Sequence, residues 1–469
     1  MKNTFDFGIV GLGVMGRNLL LNMADQKFAV AGLDLDMEKV LSLTEQANEQ
    51  HRIKATTEVK EFVALIKQPR AIMLLLPAGK PVDNAIETLL PYLDKGDILI
   101  DGGNTYFTDT DRRFTELSAK GIHFFGMGIS GGEKGARFGP SLMPGGDKQA
   151  YERLRPIFEA IAAKVDGQPC VAYLGNGSVG NYVKMAHNGI EYGIMQLISE
   201  LYDLMKRGYN MDDDTIQKTF EDWNDTELQS YLIEITGEIL KKTDTDGRKL
   251  INVISDGAKS KGTGKWTSQN AMDMQVPMPT IDAAVAMRDM SKNKPERILA
   301  SQKLVWNTPK SNTDFPLMIE ELKGALHFSI LITYAQGLAL LSKASEEYNY
   351  NLNLETVTKI WRGGCIIRAA VLEDFRLAYT ENPVLQNILL DDNVAEVLSD
   401  NQISIRNTIH SAVQKGIPVA GLMNSLAYFD AYRSEYLPTN LIQGQRDYFG
   451  AHTYERTDRP GIFHTEWNY

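Results

Sequence analysis

The chain has 469 residues, with 49 basic and 60 acidic side chains giving a net charge of -11. That length exceeds what one hydrophobic core ordinarily serves, so two or three domains are expected, and the charge balance argues against nucleic acid or an anionic membrane surface as the main partner. Cys170 and Cys365 are too few for a disulfide framework and suit a reducing compartment.

The N-terminal residues, "MKNTFDFGIVGLG", run directly into a strand and turn without the regions of a secretory leader, so a cytoplasmic location is expected. The strand pattern "FDFGIV" leads into Gly11, Gly13 and Gly16, and helical periodicity follows through Leu19, Leu20 and Met23. A second strand, "FAVAGLDLD", reaches Asp34, 18 residues after Gly16. This is G-x-G-x-x-G in the strand–turn–helix setting that dinucleotide binding requires: glycines let backbone amides approach a pyrophosphate, and the helix N-terminus adds partial positive charge. Further strands are expected within 71–77, 97–104 and 122–130, and they end in Pro77-Ala78-Gly79, Gly102-Gly103-Asn104 and Ser130-Gly131-Gly132. Strands alternating with helical segments predict a doubly wound parallel sheet, whose ligands lie beyond the strands' carboxyl ends. Residues 1–177 are therefore expected to form a Rossmann-like α/β domain.

From residue 178 helical periodicity takes over, and 178–436 is expected to be all-α. Its first long helix, 184–206, carries "VKMAHNGIEYG", which places Lys184, His187, Asn188 and Glu191 on one face. Polar side chains at that spacing are ordinarily a solvated face. "YNMDDDTIQKTF" at 209–220 and "YNLNLETVTKIW" at 350–361 match at a constant offset of 141, and a second long helix, 319–343, precedes the second copy. An internal duplication is the expectation. The apolar window 325–342 contains His327, Tyr334 and Gln336, which suits a core helix rather than a bilayer span. The tail, 437–469, has little helical period, yet its aromatic residues are unusual for a solvated segment. The histidines are scattered and neither cysteine has metal-ligand spacing, so no metal site is expected.

Together, "GLGVMG", "DGGN", "GISGGEKGARFGPSLMPGG", "VKMAHNGIEYGIMQLISE", "KGTGKW" and "IQGQRDYFGAHTYER" closely resemble the 6-phosphogluconate dehydrogenase family over nearly the whole chain. The resemblance implies a Rossmann-like domain, a duplicated helical domain for substrate and dimerisation, and an extended tail that enters the partner subunit of a homodimer. It implies oxidation of 6-phosphogluconate at C3 with reduction of NAD or NADP, then loss of CO2 to give ribulose 5-phosphate. Lys184 is then the base that later acts as an acid at the ketone oxygen, and Glu191 protonates C1. Asn104, Ser130, Gly131, Gly132, His187 and Asn188 match substrate contacts; Tyr192, Lys261, Thr263, Arg288 and the partner tail's Arg446 match the phosphate site, with His452 nearby. Gly11, Leu12, Gly13, Val14, Met15, Gly16, Asp34, Leu35, Asp36, Leu76, Pro77, Ala78 and Asn104 match cofactor contacts. No metal is implied, because a carboxylate β to a ketone already has its electron sink.

One subsite departs from the family. The usual Asn-Arg-Thr after the second strand, whose arginine holds the 2'-phosphate of NADP, is Asp34-Leu35-Asp36 here, and Pro77 stands where a lysine is usual. Both changes remove positive charge and favour NAD, with Lys39 and Lys80 the residues able to replace it. Two other activities stay open on sequence: a different β-hydroxyacid dehydrogenase, and a non-catalytic nucleotide-sensing protein.

Overall fold

The structure, a computed structural model, describes residues 5–306 and 314–467. Seven strands, β1 (Phe7–Val10), β2 (Val30–Leu33), β3 (Ile53–Thr56), β4 (Ala71–Leu74), β5 (Ile98–Asp101), β6 (His123–Ser130) and β7 (Ser141–Gly146), form one sheet in the order β3-β2-β1-β4-β5-β6-β7. The first six pair in parallel, whereas β7 runs antiparallel to β6, pairing Ser130 with Ser141. Strands β3 and β7 were not legible in the sequence. β3 is only partly buried, so it lacks the apolar run that marked its neighbours, and β7 ends in the Pro-Gly-Gly of residues 144–146.

Helices α1 (Val14–Asp25), α2 (Met37–Gln46), α3 (Val59–Leu65), α4 (Lys80–Leu89), α5 (Phe107–Ser118), α6 (Gly132–Phe138) and α7 (Lys148–Ile161) accompany the sheet. Apolar residues on opposite sheet faces pack into separate clusters, Ile9 and Met73 in one, Val10 and Leu74 in the other, as period-2 strands covered on both sides require.

The remaining helices are α8 (Val179–Asp203), α9 (Asp213–Trp223), α10 (Tyr231–Lys241), α11 (Thr263–Asp273), α12 (Pro279–Ser291), α13 (Lys294–Lys303), α14 (Phe315–Glu347), α15 (Leu354–Trp361), α16 (Val371–Glu381), α17 (Asp392–Lys415), α18 (Ala420–Tyr432) and α19 (Thr439–Gly450). Helix α8 lies against β6 and β7 on one side and α11, α12, α14 and α18 on others. Its approach to the sheet depends on absent side chains: a methyl on Gly126 would meet Asn181, one on Gly128 would meet the Lys184 side chain, and one on Gly145 would meet Val179. Helix α14 is apolar around its circumference, and 89% of its most apolar window is buried in the protein. Its polar interruptions are used internally: the Tyr334 hydroxyl donates to the Ile367 carbonyl, and Gln336 donates to Thr280 Oγ1 at 3.0 Å.

The repeated segments have the same local build. Asp212 caps α9 by accepting from Thr215 N at 2.8 Å, and Asn353, 141 positions later, caps α15 by accepting from Thr356 N at 2.9 Å. Two residues before each cap an asparagine takes left-handed φ, 55° at Asn210 and 56° at Asn351. The tail is not extended throughout, because α19 occupies its first third. Its apolar side chains Leu441, Ile442 and Phe449 are 55–70% exposed, so it shows no buried face of the kind that marks a helix packed on its own core. Beyond α19 a short antiparallel pair, Tyr454–Glu455 with Ile462–Phe463, folds back, and Asp447 ties the segment together by accepting from Thr453 N, Thr465 N, His464 Nδ1 and Trp467 Nε1. Burial raises the Asp447 carboxyl, but these donors outweigh it and draw the group down to about 2.

Candidate active site

The glycine turn joins β1 to α1. Gly11 has φ of 97°, and a methyl there would press on the Leu75 carbonyl oxygen; one on Gly16 would overlap the Gly11 carbonyl oxygen. Around Gly13 no atom lies within 4 Å of where a methyl would stand, so a ligand can approach the backbone. Gly13 is also the N-cap of α1 and has no side-chain oxygen to satisfy the first-turn amides of Val14, Met15 and Gly16. These are the features a pyrophosphate needs, so the turn fits a nicotinamide dinucleotide.

At the end of β2, Asp34 Oδ2 accepts from Leu12 N at 2.7 Å and Oδ1 accepts from Asp36 N at 3.0 Å. Lys39 lies 3.4 Å from Asp34 Oδ1 and 3.7 Å from Asp36 Oδ2, so its charge is already shared between two carboxylates. Asp36 also caps α2 by accepting from Glu38 N at 3.0 Å. Leu35 projects outward, 88% exposed, and Pro77 and Ala78 are exposed at the end of the β4 segment, with Leu76 half-buried beside them.

The α8 quartet is not a solvated face. Lys184, His187 and Asn188 are 6%, 0% and 7% exposed, and Glu191 stands at the rim with a 23% exposed side chain. Tertiary packing against β6 and the loop after α15 buries residues that would be wet on an isolated helix. Lys184 Nζ lies 3.3 Å from His187 Nδ1, Asn188 Oδ1 is 3.1 Å from the same nitrogen, and Glu191 Oε2 is 3.9 Å from it. The opposite ring nitrogen, Nε2, is 3.0 Å from Ser130 Oγ at the end of β6. Burial lowers the Lys184 ammonium to about 8, against the pull of Glu191. Burial, then Lys184, holds His187 well below its usual value, and burial raises Glu191 against the opposing influence of Lys184 and Arg288. The cluster thus favours a neutral amine, a neutral imidazole and a protonated carboxyl group more than water would.

Other expected residues lie on elements that pack against α8 or in the segments next to those elements. Gly131 and Gly132 follow Ser130 at the start of α6, and Asn104 is exposed after β5. The Arg288 guanidinium of α12 stacks over the Tyr192 ring at 3.5 Å, and α11, starting at Thr263, packs its Gly264 against the same ring. Lys261 is exposed just before α11. Arg446 and His452 are not brought to this cluster within one chain: Arg446 donates to Gln443 at 3.0 Å, and His452 packs on Phe449.

The sequence reading missed the segment after α15. Ile366 N donates to Ser130 Oγ at 3.2 Å, Trp361 packs edge-on against the His187 ring at 5.7 Å, and Cys365, fully buried, is close enough to Lys184 for the two to influence each other electrostatically. The signal available was the glycine pair Gly363-Gly364, where Gly364 has φ of 71° and a methyl would press on the Gly139 carbonyl oxygen.

A glycine turn built for a dinucleotide, together with a buried lysine and a carboxyl group on one face of α8, fits the class of nicotinamide-dependent hydroxyacid dehydrogenases. The chain matches the NAD binding domain of 6-phosphogluconate dehydrogenase over residues 6–175 and the C-terminal domain of that enzyme over residues 180–467. The decarboxylating 6-phosphogluconate dehydrogenase of Lactococcus lactis subsp. lactis is 50% identical over 468 residues, covering 98% of both chains. The NADP(+)-dependent decarboxylating enzyme of Bacillus subtilis is 49% identical over 462 residues, again 98% of both. Plasmodium falciparum 6-phosphogluconate dehydrogenase, solved in its apo form, with NADP+ and with 6-phosphogluconate, superposes with a TM-score of 0.95 at 42% identity, covering 98% of this chain and 100% of that one. The chain belongs to the 6-phosphogluconate dehydrogenase family.

Proposed function

We propose that the protein oxidises 6-phosphogluconate at C3 and decarboxylates the product to ribulose 5-phosphate, with Lys184 and Glu191 as the proton-transfer groups. The observation that carries this assignment is the buried Lys184 two turns along the same face of α8 from the Glu191 carboxyl group, where burial lowers the lysine to about 8 and raises the glutamate. The bound nicotinamide ring supplies the hydride acceptor. Neutral Lys184 takes the C3 hydroxyl proton as hydride leaves C3, and becomes an ammonium. The bond from C2 to the C1 carboxylate breaks, CO2 departs, and the ammonium returns its proton to the ketone oxygen as the enediol forms. Glu191 then protonates the carbon that lost CO2, which becomes C1 of the pentulose, while the again-neutral Lys184 takes back the proton of the neighbouring enediol hydroxyl so that the C2 ketone forms. Asn104, Ser130, Gly131, Gly132, His187 and Asn188 surround the carboxylate and hydroxyl end of the sugar acid. Tyr192, Lys261, Thr263 and Arg288 take its phosphate, where lysine and arginine suit a dianion by charge and fork geometry.

The same proposal divides the chain into a dinucleotide-binding unit at 1–177, a helical substrate and dimerisation unit at 178–436, and a tail at 437–469 that completes the partner's site with Arg446 and His452. The exposed apolar side chains of α19 support a tail that docks on another surface. We assign the protein to the cytoplasm.

For the cofactor we propose NAD rather than NADP, which departs from the Bacillus and Plasmodium relatives. Asp34, fixed to Leu12 N and paired with Lys39, offers acceptors to ribose hydroxyls and repels a 2'-phosphate. Lys39, one of the two cations able to replace the missing charge, is committed to Asp34 and Asp36. The test is kcat/KM for NAD and NADP at saturating 6-phosphogluconate. A large NAD preference supports the assignment; NADP preference overturns the cofactor reading alone, and no turnover with either overturns the substrate.

A further inference from the structure

We propose that Ser130 acts on Lys184 through His187: its hydroxyl fixes the imidazole as the Nδ1–H tautomer, so that a hydrogen-bond donor, not an acceptor, faces the lysine amine. Ser130 is 2% exposed, and its oxygen already accepts from Ile366 N at 3.2 Å. The other polar atom recorded within its reach is His187 Nε2 at 3.0 Å. If Nε2 carried the proton, Ser130 would accept twice and its own hydroxyl hydrogen would be buried without a partner, an arrangement that buried polar groups avoid. If the hydroxyl donates to Nε2, the neutral ring must carry its proton on Nδ1, where the Asn188 carbonyl oxygen accepts it at 3.1 Å. The edge-on Trp361 ring holds the imidazole plane.

Lys184 Nζ sits 3.3 Å from that same Nδ1. An ammonium there opposes donor to donor, whereas a neutral amine meets the N–H, which the Asn188 oxygen also accepts, with a lone pair. Along α8, Lys184 also faces Glu191, which favours the ammonium; from the segment after α15 it faces Cys365, whose thiol burial pushes up to about 12. Arg288 of α12 acts on Glu191. Strand β6 contributes Gly128 against the lysine stem and no charge. Ser130 is therefore a positioning residue for the base as well as a neighbour of the substrate. The consequence for rate rests on Lys184 being the base, whereas the tautomer is a property of the resting protein.

The experiment is 15N-histidine NMR of the wild-type protein, with the His187 signals assigned by their loss in His187→Gln, and two-bond proton–nitrogen correlations reporting which ring nitrogen is protonated. Protonated Nδ1 is expected in wild type, with a shift of the proton to Nε2 in Ser130→Ala and its return in Ser130→Thr. Protonated Nε2 in wild type overturns the proposal. In parallel, the alkaline limb of the kcat/KM profile is expected to move up by on the order of one pH unit in Ser130→Ala, and an unmoved limb overturns the coupling. The spectrum decides the tautomer even where Ser130→Ala turns over too slowly to profile. Loss of turnover in Lys184→Met is the separate test of the base.

Discussion

In the proposed reaction Lys184 is the residue on which the chemistry turns, because a lysine accepts a proton only after losing its own. Replacing it with methionine keeps the stem that crosses Gly128 and removes the amine. We expect kcat to fall by about three to four orders of magnitude, with the dinucleotide Kd nearly unchanged by equilibrium titration; surviving turnover removes Lys184 from the base role. The active form shares one proton between Lys184 and Glu191, so kcat/KM should be bell-shaped. Its alkaline limb is the loss of that proton near Lys184's value of about 8, and its acid limb is the second protonation, at Glu191, above the ordinary 4.5. At the cofactor site, Asp34→Asn combined with Leu35→Arg removes the repulsion, loosens Lys39 and supplies a guanidinium. We expect the ratio of kcat/KM for NADP over NAD to rise by about tenfold or more, and an unchanged ratio would place specificity elsewhere.

At the level of elements, α8 is held between a glycine-bearing sheet edge and the helices behind it. Glu200, 3% exposed near its C-terminal end, accepts from Gly421 N at 2.7 Å and Leu422 N at 3.0 Å and so joins α8 to the start of α18. Burial raises its carboxyl group to about 7, although those amides favour the charged form. A raised folded-state pKa means that the folded chain binds the proton more tightly. Glu200 therefore contributes stability that is full below pH 4.5 and is lost as the pH rises through about 7. The change is on the order of 3 kcal/mol. Denaturant titrations of Glu200→Gln should show this pH dependence flattened between those limits, and a slope equal to wild type would mean another group carries it. The long helices were legible as periodicity, but their buried polar partners were not: Glu200 reads as a surface charge until α18 covers it.

For the whole molecule, the question is where Arg446 and His452 act, since neither reaches the α8 cluster within its own chain. If the tail serves the partner, a mixed dimer of Lys184→Met and Arg446→Ala subunits contains one site with both wild-type residues. Reassociating the two weakly active variants should then recover up to about half of the wild-type activity expected per mixed dimer. No recovery, with mixed dimers shown by mass spectrometry, would exclude tail exchange.

The dinucleotide turn, the β1–β2 spacing to Asp34 and the α8 quartet could be read from sequence because each is a local pattern, set by backbone geometry over a few residues. The repeat was legible for the same reason, and its left-handed asparagines and caps recur at Asn210 and Asn351 and at Asp212 and Asn353. Burial was not legible. Whether Lys184 is a wet surface charge or a lowered base depends on Gly128, Ser130, Trp361 and Cys365, which come from a strand and a loop far away in the chain. Only tertiary packing brings those surfaces together and removes the water, and removal of water is what moves a lysine's proton affinity toward neutrality.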